Sequence, residues 1–131
     1  MTTRLYTPED YATVMPWWEG HGSLPIPEAV LPKCGIVVEM EEGLPSAVAW
    51  LYMDNSVGVA WMSWMTTNPL LGPIKAASAL TVLLGAMEQL CAEFDYGLLF
   101  TMTESKGVGQ FLCRKGFSPN HKGMTQYFKE V

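Results

Sequence analysis

From residue 55 to residue 87 the chain has a single ionisable side chain, that of Lys75. The stretch includes an apolar run at residues 57–65, which has almost no polar residues and is therefore predicted to be a central strand covered on both faces. A loop with two prolines follows at residues 66–73, and a helix is predicted to begin at Ile74. A lone lysine at the start of a helix, after an apolar strand, is suited to hold an anionic ligand.

The composition limits both the fold and the partners. The chain has 131 residues, of which 49% are hydrophobic and 16% charged, so it is expected to form one domain, residues 1–131, with a core that needs no disulfide or metal. The formal net charge is −5 at pH 7. This charge disfavours nucleic acid as a partner, because polyphosphate would be repelled. An acidic surface favours a cationic substrate or a partner without charge.

The cysteines and the apolar segments indicate a cytoplasmic protein. The three cysteines form no metal-like pair, their odd number argues against a disulfide framework, and Cys91 is predicted to be a buried reduced thiol. The N-terminal residues contain no apolar signal core. The longest apolar run, residues 76–87, is too short to span a bilayer. No membrane association is expected.

The first half of the chain predicts a short strand, a helix and an antiparallel meander. A strand is expected at residues 3–6, and Thr7 is expected to cap a helix that Pro16 disturbs. Trp17 and Trp18 follow, and the two are not expected to be buried together on one helix face. The meander is formed by strands predicted at residues 35–41, 46–53 and 57–65.

The second half predicts a crossover helix, a parallel strand, a short helix and a last strand. The helix carries apolar residues at alternating steps of four and three, and ends near Asp95. These residues are Ala76, Leu80, Leu83, Met87, Leu90 and Phe94. A strand at residues 96–102 should run parallel to the strand before the crossover. Ser105 is expected to cap the short helix, and residues 124–129 to form the final strand. The fold class is therefore α/β: a three-layer α/β/α sandwich with a mixed, mostly antiparallel central sheet.

Two sequence patterns resemble those of a known superfamily. Residues 111–117, FLCRKGF, are similar to the pattern aliphatic-Tyr-x-Lys-x-Gly-Phe that closes the GNAT (GCN5-related N-acetyltransferase) domain, and Asn68-Pro69 stands where members often place a proline. With the order of elements, the resemblance covers essentially the whole chain. The combination of Trp17-Trp18 with three nearby positions also looks like small GNAT-like proteins of phages. Those positions are Pro27, Leu31 and Pro32.

The resemblance implies that acetyl-CoA is the cofactor. Its pantetheine arm would enter between the central strand and its parallel neighbour, and its pyrophosphate would sit on the N-terminus of the long helix. The residues implied in cofactor binding are Met65, Thr66, Thr67, Gly72, Lys75, Ala76, Ala77 and Ser78. The family's (Gln/Arg)-x-x-Gly-x-(Gly/Ala) loop corresponds to residues 72–77, GPIKAA, where only the last position fits. Lys75 could replace the missing positive charge, or its side chain could block the phosphates.

The residues implied in the chemistry also depart from the family. The tyrosine that often protonates the leaving thiolate is replaced by Leu112, and Ser105 stands where an asparagine is common. Glu39, on a strand that borders the acceptor cleft in the family, is the candidate general base, together with Ser105 in a hydrogen-bonding catalytic role. The early loop would bind the acceptor through Trp17, Trp18 and His21.

Two functions remain open on this sequence. One is an N-acyltransferase that moves an acetyl group from acetyl-CoA to a primary amine of a small molecule or protein. The other is a catalytically inactive GNAT-like module, such as a phage structural or host-interaction protein. An open V between the central strand and its parallel neighbour would favour the enzyme, whereas a cleft filled by Trp64 or Phe100 would favour the module. The apolar strands could also support a homodimer.

Overall fold

The strands and helices follow one another in the order that the sequence predicted, up to the end of the third helix. The computed structural model describes all 131 residues. The five strands are β1 (Thr2–Leu5), β2 (Gly35–Glu39), β3 (Pro45–Met53), β4 (Val59–Thr67) and β5 (Leu98–Thr101). The helices are α1 (Tyr11–Gly20), α2 (Pro73–Glu93) and α3 (Lys106–Arg114), with short 3-10 turns at Pro8–Asp10, Glu28–Val30 and Glu41–Gly43. Residues Met1–Thr101 form a first unit and Met102–Val131 a second.

The strands form one mixed sheet in the order β1-β2-β3-β4-β5. The pairs from β1 to β4 are antiparallel, and β4 pairs with β5 in parallel. The predicted meander and the predicted parallel neighbour are therefore confirmed. The parallel pair follows from α2, because a strand that returns after a crossover helix runs in the same direction as the strand before it.

Both faces of the sheet are buried. On one face Val37, Val48 and Trp50 pack in a cluster with residues of α1. Side chains alternate along a strand, so Val38 and Leu51 point to the opposite face, where α2 contacts all five strands. The first unit is thus a helix, a sheet and a helix in three layers, as the sequence predicted.

Helix α2 covers the sheet with a stripe that differs in part from the predicted one. Leu83 and Met87 are fully buried as expected, whereas Phe94, expected inside, is 55% exposed at the end of the helix. Cys91 is buried, and burial raises the pKa of its thiol, which keeps it protonated. By length and composition alone α2 could cross a membrane, a test that core helices of soluble proteins also pass. Its contacts with every strand make it the core helix of this sheet.

Three local predictions are wrong. Strand β4 runs on through Thr67, where a loop was expected, because its last residues still pair with β3 at Ala47. Pro16 lies inside α1 without ending it, since the burial of α1 side chains outweighs one lost backbone hydrogen bond. Residues 124–129 form no strand. A strand needs a partner for its backbone groups, and this segment has none, with Tyr127 and Phe128 88% and 95% exposed.

Candidate functional site

The backbone pairing of strands β4 and β5 ends about halfway along β4. Their pairing covers four residue pairs and ends at Met62 and Thr101, whereas β4 continues to Thr67. The five further residues extend β4 by about 17 Å at roughly 3.3 Å per residue. At the closed end the Thr101 hydroxyl donates a hydrogen bond to the Met62 carbonyl oxygen (2.9 Å). Beyond this point no strand pairs with this edge of β4, and we call the space along Ser63 to Thr67 the cleft.

A β-bulge lies in the part of β4 that pairs with β3 but not with β5. Trp50 pairs with Ser63 and Val48 with Thr66, so Trp64 and Met65 together stand opposite the single residue Ala49. Trp64 has φ +60°, a left-handed conformation that a bulky side chain rarely adopts. A bulge takes one residue out of the backbone ladder. Strain of this kind is held in place by surrounding contacts and is often found at functional sites.

Neither aromatic side chain that could have filled the cleft does so. Trp64 points toward β3 and the α1 cluster, where its Nε1–H donates to the Tyr52 hydroxyl (2.8 Å). Phe100 stacks on Trp61 with ring centroids 4.5 Å apart, in the paired part of the two strands. By the criterion set from the sequence, this arrangement favours the enzyme.

Side chains at the end of α1 form hydrogen bonds with the part of β4 that does not pair with β5. The Trp18 Nε1–H donates to the Trp64 carbonyl oxygen (3.3 Å), and the His21 Nε2–H donates to the Thr67 carbonyl oxygen (2.8 Å). Between them, a Cβ added at Gly20 would lie 2.7 Å from Cγ of Pro69. Only glycine permits this close approach. His21 therefore lies at the open end of the cleft, next to the residue that ends β4.

Trp17 and Trp18 are core residues. Both are 5% exposed, so the prediction that they could not be buried together is wrong. Trp18 stacks on Trp50 with ring centroids 5.7 Å apart, and both α1 tryptophans belong to the cluster on that face of the sheet. Buried rings offer almost no surface to an acceptor, so their predicted contact with substrate gives way to a structural role.

The N-terminus of α2 follows directly after the open end of the cleft. Gly72 is its N-cap, and Pro73, the first helical residue, has no N–H group. The N–H groups of Gly72, Ile74 and Lys75 have no backbone acceptor. A cavity of about 470 Å³ adjoins this turn, and Lys75 is its only ionisable lining residue. The remaining lining is Met40, Leu44, Asn68 and Leu70 to Ile74.

Some of the residues predicted to bind phosphate already use their polar groups in hydrogen bonds within α2, and others do not. The Ser78 hydroxyl donates to the Ile74 carbonyl oxygen (3.1 Å) and the Ala76 N–H to the Gly72 carbonyl oxygen (3.0 Å). These two groups are therefore occupied within the helix. Lys75 and Ala77 are exposed. Among these residues Gly72 and Lys75 keep free N–H groups. Met65, Thr66 and Thr67 lie at the end of β4, where Thr66 and Thr67 are buried.

Glu39 is held in an ion pair away from the cleft. Its carboxylate accepts from Arg4 Nε (3.0 Å), while the same guanidinium binds both carboxylate oxygens of Asp10 (2.7 and 2.8 Å). Hydrogen bonding to Arg4 lowers the pKa of Asp10. Glu39 lies on β2, separated from β4 by β3. Its contacts give it a structural role on the β1 side of the sheet.

Ser105 caps α3 in the second unit, as the sequence predicted. Its hydroxyl accepts from the Val108 N–H (3.2 Å), which satisfies one of the free amides at the start of that helix. Leu112, at the position that the resemblance assigns to a tyrosine, is buried. An aliphatic side chain has no proton to give a leaving thiolate.

The bulge and its hydrogen bonds escaped sequence reasoning. A tryptophan with positive φ has no sequence signature, and the donors from Trp18 and Tyr52 depend on tertiary packing. Trp61 and Trp64 are three residues apart and would face opposite sides of a regular strand, but the bulge between Ser63 and Thr66 changes that alternation.

Comparison with known proteins identifies the fold. No protein-family model and no curated protein matches the chain. Solved structures do match over nearly the full length. A probable acetyltransferase has a TM-score of 0.73 at 14% identity, over 100% of this chain and 99% of that one. An acetyltransferase of Trypanosoma brucei has a TM-score of 0.69 at 13% identity, over 97% of this chain and 99% of that one. A protein of Thermus thermophilus has a TM-score of 0.70 at 15% identity, over 100% of this chain and 99% of that one. At such identities the likeness establishes the fold, and the chain therefore has the fold of GNAT-type acetyltransferases.

Proposed function

We propose that this chain is an N-acyltransferase that moves an acetyl group from acetyl-CoA to a primary amine. The observation that carries the proposal is the end of the β4–β5 pairing at Met62 and Thr101: β4 continues for five further residues, and neither Trp64 nor Phe100 fills the cleft along them. The structural likeness to acetyltransferases supports the same kind of reaction. The acceptor is a small molecule or a protein amine, and the proposed location is the cytoplasm.

The residues around the opening suit the parts of acetyl-CoA. Backbone groups of Met65 and Thr66 and the N–H of Thr67 would bind the pantetheine arm, because no strand pairs with this edge of β4; the Thr67 carbonyl oxygen is already bonded to His21. The free amides of Gly72, Ile74 and Lys75 would hold phosphate oxygens at the positive end of the α2 dipole, with the Lys75 ammonium as counter-charge. The bound cofactor supplies an activated acetyl thioester.

The bulge supplies the polar group that acyl transfer needs. A thioester carbonyl gains negative charge as the amine adds, and a fixed backbone N–H is an effective partner for that charge. The bulge releases one residue of the Trp64–Met65 pair from the β3 ladder, while the Trp18 indole holds the Trp64 carbonyl. We assign the released N–H to the acetyl carbonyl oxygen.

The proposed transfer does not depend on Glu39 or His21 as a base. Glu39 is paired with Arg4 on β2, and the Nε2 of His21 carries the proton that it donates to the Thr67 carbonyl oxygen, so this nitrogen is not free to accept a proton from an amine. The acceptor amine would therefore lose its proton to water before it attacks.

Calorimetric titration with acetyl-CoA tests the proposal, followed by an assay of free CoA thiol in the presence of amines. Micromolar binding with a raised melting temperature, and release of CoA only when an amine is present, is the expected result. A Cys113→Ser variant should be used for the thiol assay, because Cys113 is exposed and reacts with thiol reagents. Absence of binding at millimolar acetyl-CoA would contradict the proposal.

One observation favours the alternative function, a catalytically inactive GNAT-like module that binds a phage or host protein. In the turn at the start of α2, Pro73 has no N–H to offer a pyrophosphate, and Lys75 has a side chain where the family's loop has glycine, which hinders a close approach to the backbone. Failure to bind acetyl-CoA, together with a normal melting transition, would favour this alternative.

A further inference from the structure

A second cavity, of about 370 Å³, lies on the β1 side of the sheet. Its lining is Tyr6, Pro8, Glu28, Leu31, Pro32 and Lys33. Tyr6 follows β1 and packs edge-on against Trp50, with ring centroids 5.0 Å apart, in the cluster that α1 covers. Since β2 and β3 lie between β1 and β4, Tyr6 is about 14 Å from the β4 backbone at roughly 4.8 Å per strand spacing. The cavity is therefore separate from the cleft.

The segment that supplies most of the lining, residues 28–33, is held at both ends. Before it, the Tyr11 hydroxyl donates a hydrogen bond to the Ile26 carbonyl oxygen (2.7 Å). After it, the Leu51 N–H donates to the Cys34 carbonyl oxygen (2.9 Å). A wall that is already held in place costs a ligand little ordering entropy on binding.

Two opposite charges line this cavity without a partner. Glu28 and Lys33 are both exposed, and neither forms a salt bridge with the other or with any other residue. Tyr6 is 9% exposed, and its hydroxyl is buried without a hydrogen-bond partner. Burial and then the negative charge of Glu28 raise the pKa of Tyr6, so the hydroxyl stays protonated within the field of that carboxylate. Buried polar groups without a partner are uncommon in folded proteins, and one in a cavity wall can be paired by a ligand.

We propose that this cavity binds a small zwitterion, an α-amino acid with an apolar side chain. Its ammonium group bonds to the Glu28 carboxylate and the Tyr6 hydroxyl oxygen, and its carboxylate bonds to the Lys33 ammonium. The apolar side chain lies against Leu31 and the two prolines of the lining. Because the Tyr6 hydroxyl is covered by its neighbours, pairing it requires a small side-chain adjustment at the wall. The cavity volume is at the lower end of the roughly 300–1,000 Å³ that small-molecule sites occupy.

Charge selects a zwitterion over a ligand with a single charge. An amine without a carboxylate would be repelled by Lys33, and a carboxylate without an amine would be repelled by Glu28. A zwitterion pairs both side chains and adds no net charge to a chain that carries −5. With β2 and β3 between the cavity and β4, the bound amine lies too far from the cleft to be the acceptor of the proposed transfer.

An NMR titration of the isotope-labelled chain with L-leucine, up to about 10 mM, tests the proposal at concentrations suited to a ligand of few atoms. Saturable shifts should be largest at the backbone N–H signals of Tyr6, Leu31 and Lys33. Isopentylamine lacks the carboxylate of leucine and isocaproate lacks its ammonium group, so each should bind at least about ten-fold more weakly. No saturable shift with leucine would overturn the proposal, as would equal binding of the three compounds or largest shifts at Met65 to Thr67.

Charge variants with matched controls test the two ends of the site. Glu28→Gln and Lys33→Gln should each weaken leucine binding about ten-fold, because each removes one of the two charged contacts. Glu88→Gln and Lys122→Gln remove the same charges at exposed residues outside the cavity and should leave the affinity within about two-fold of wild type. Equal effects of the cavity variants and their controls would overturn the proposal.

Tyr6→Phe separates binding from folding. It deletes a hydroxyl that has no partner in the folded chain, so the melting temperature should not fall, while the affinity for leucine should drop about three-fold or more. Unchanged leucine affinity in this variant would overturn the proposed contact. None of these measurements uses acetyl-CoA, so their outcome does not depend on whether the chain transfers acetyl groups.

Discussion

Trp18 combines two contacts that a smaller aromatic residue cannot make together. Its ring stacks on Trp50, and its Nε1–H donates to the Trp64 carbonyl in the bulge. We expect Trp18→Phe to keep the stacking and lose the donor, lowering the free energy of unfolding by about 1–3 kcal/mol. Urea denaturation measures the change. The control is Trp61→Phe, at an indole that is 39% exposed; an equal loss there would mean that the bond to Trp64 contributes nothing.

Lys75 is the one cation at the proposed phosphate site. We expect Lys75→Glu to weaken acetyl-CoA binding about ten-fold, because an attractive contact becomes a repulsive one. Lys33→Glu makes the same change in net charge at an exposed lysine before β2 and should leave the affinity within about two-fold of wild type. Calorimetric titration compares the two variants. Equal effects would show that only net charge matters and would remove Lys75 from the site.

Asp10 should make stability depend on pH at the acid end. Its pKa in the folded chain is lowered from an ordinary value of 3.8 by the bond to Arg4. A lowered pKa gives stability that is present above the unfolded pKa and is lost as pH falls through the folded pKa. We expect Asp10→Asn to cost about 1–2 kcal/mol at neutral pH and progressively less below about pH 4. Urea denaturation against pH measures it.

The control for Asp10→Asn is Glu19→Gln, at an exposed carboxylate of α1 that forms no ion pair with Arg4. That variant should show a small loss that does not follow the same acid transition. A cost of Asp10→Asn that stays constant from neutral to acid pH would contradict the assigned ion pair.

At the scale of elements, the contact between α1 and the turn before α2 depends on Gly20. An added Cβ would lie 2.7 Å from Pro69 Cγ, so Gly20→Ala should force the two segments apart and cost about 1–3 kcal/mol. Gly85→Ala, in α2 with open space around the added Cβ, should stabilise the chain by about 0.5–1 kcal/mol. Thermal and urea unfolding compare them. A stabilising Gly20→Ala would contradict the close contact.

The long elements were predictable because their signals are local. The apolar spacing of α2 gave its position within two residues at either end, and the meander followed from three apolar runs separated by turns. The prediction of a final strand was wrong because a strand depends on a partner that is distant in the sequence. Residues 124–129 have a strand-like composition, but composition cannot supply the partner strand that the backbone needs, and none pairs with them.

The site was predictable only in outline. The stretch that leads from the end of β4 to Lys75 was found because it lies in one continuous segment of sequence. The roles given to Glu39 and Ser78 depended on which groups they would find as neighbours, and each has a partner of its own in Arg4 and Ile74. The bulge at Trp64 required the pairing of β3 with β4, which a single strand does not encode.

At the scale of the whole molecule, the net charge bears on which amines the proposed enzyme would accept. Thirteen acidic and eight basic residues give −5, so the surface attracts cations at distances up to about 10 Å at 0.1 M salt. The exclusion of nucleic acid stays a prediction from this charge. For an amine acceptor, a second positive charge should matter more than chain length.

The salt dependence of acceptor choice tests that statement. If the chain acetylates amines, pentane-1,5-diamine should show a higher kcat/KM than pentylamine at about 20 mM salt, because a doubly charged acceptor is drawn more strongly to a negative surface. The ratio of the two kcat/KM values should fall toward a constant as the salt concentration rises to about 300 mM, where the Debye length is less than about 10 Å and the surface charge is largely screened. Taking a ratio cancels salt effects on acetyl-CoA binding, which both reactions share. A ratio that does not change with salt would show that acceptor selection is set within the cleft, independently of the net charge.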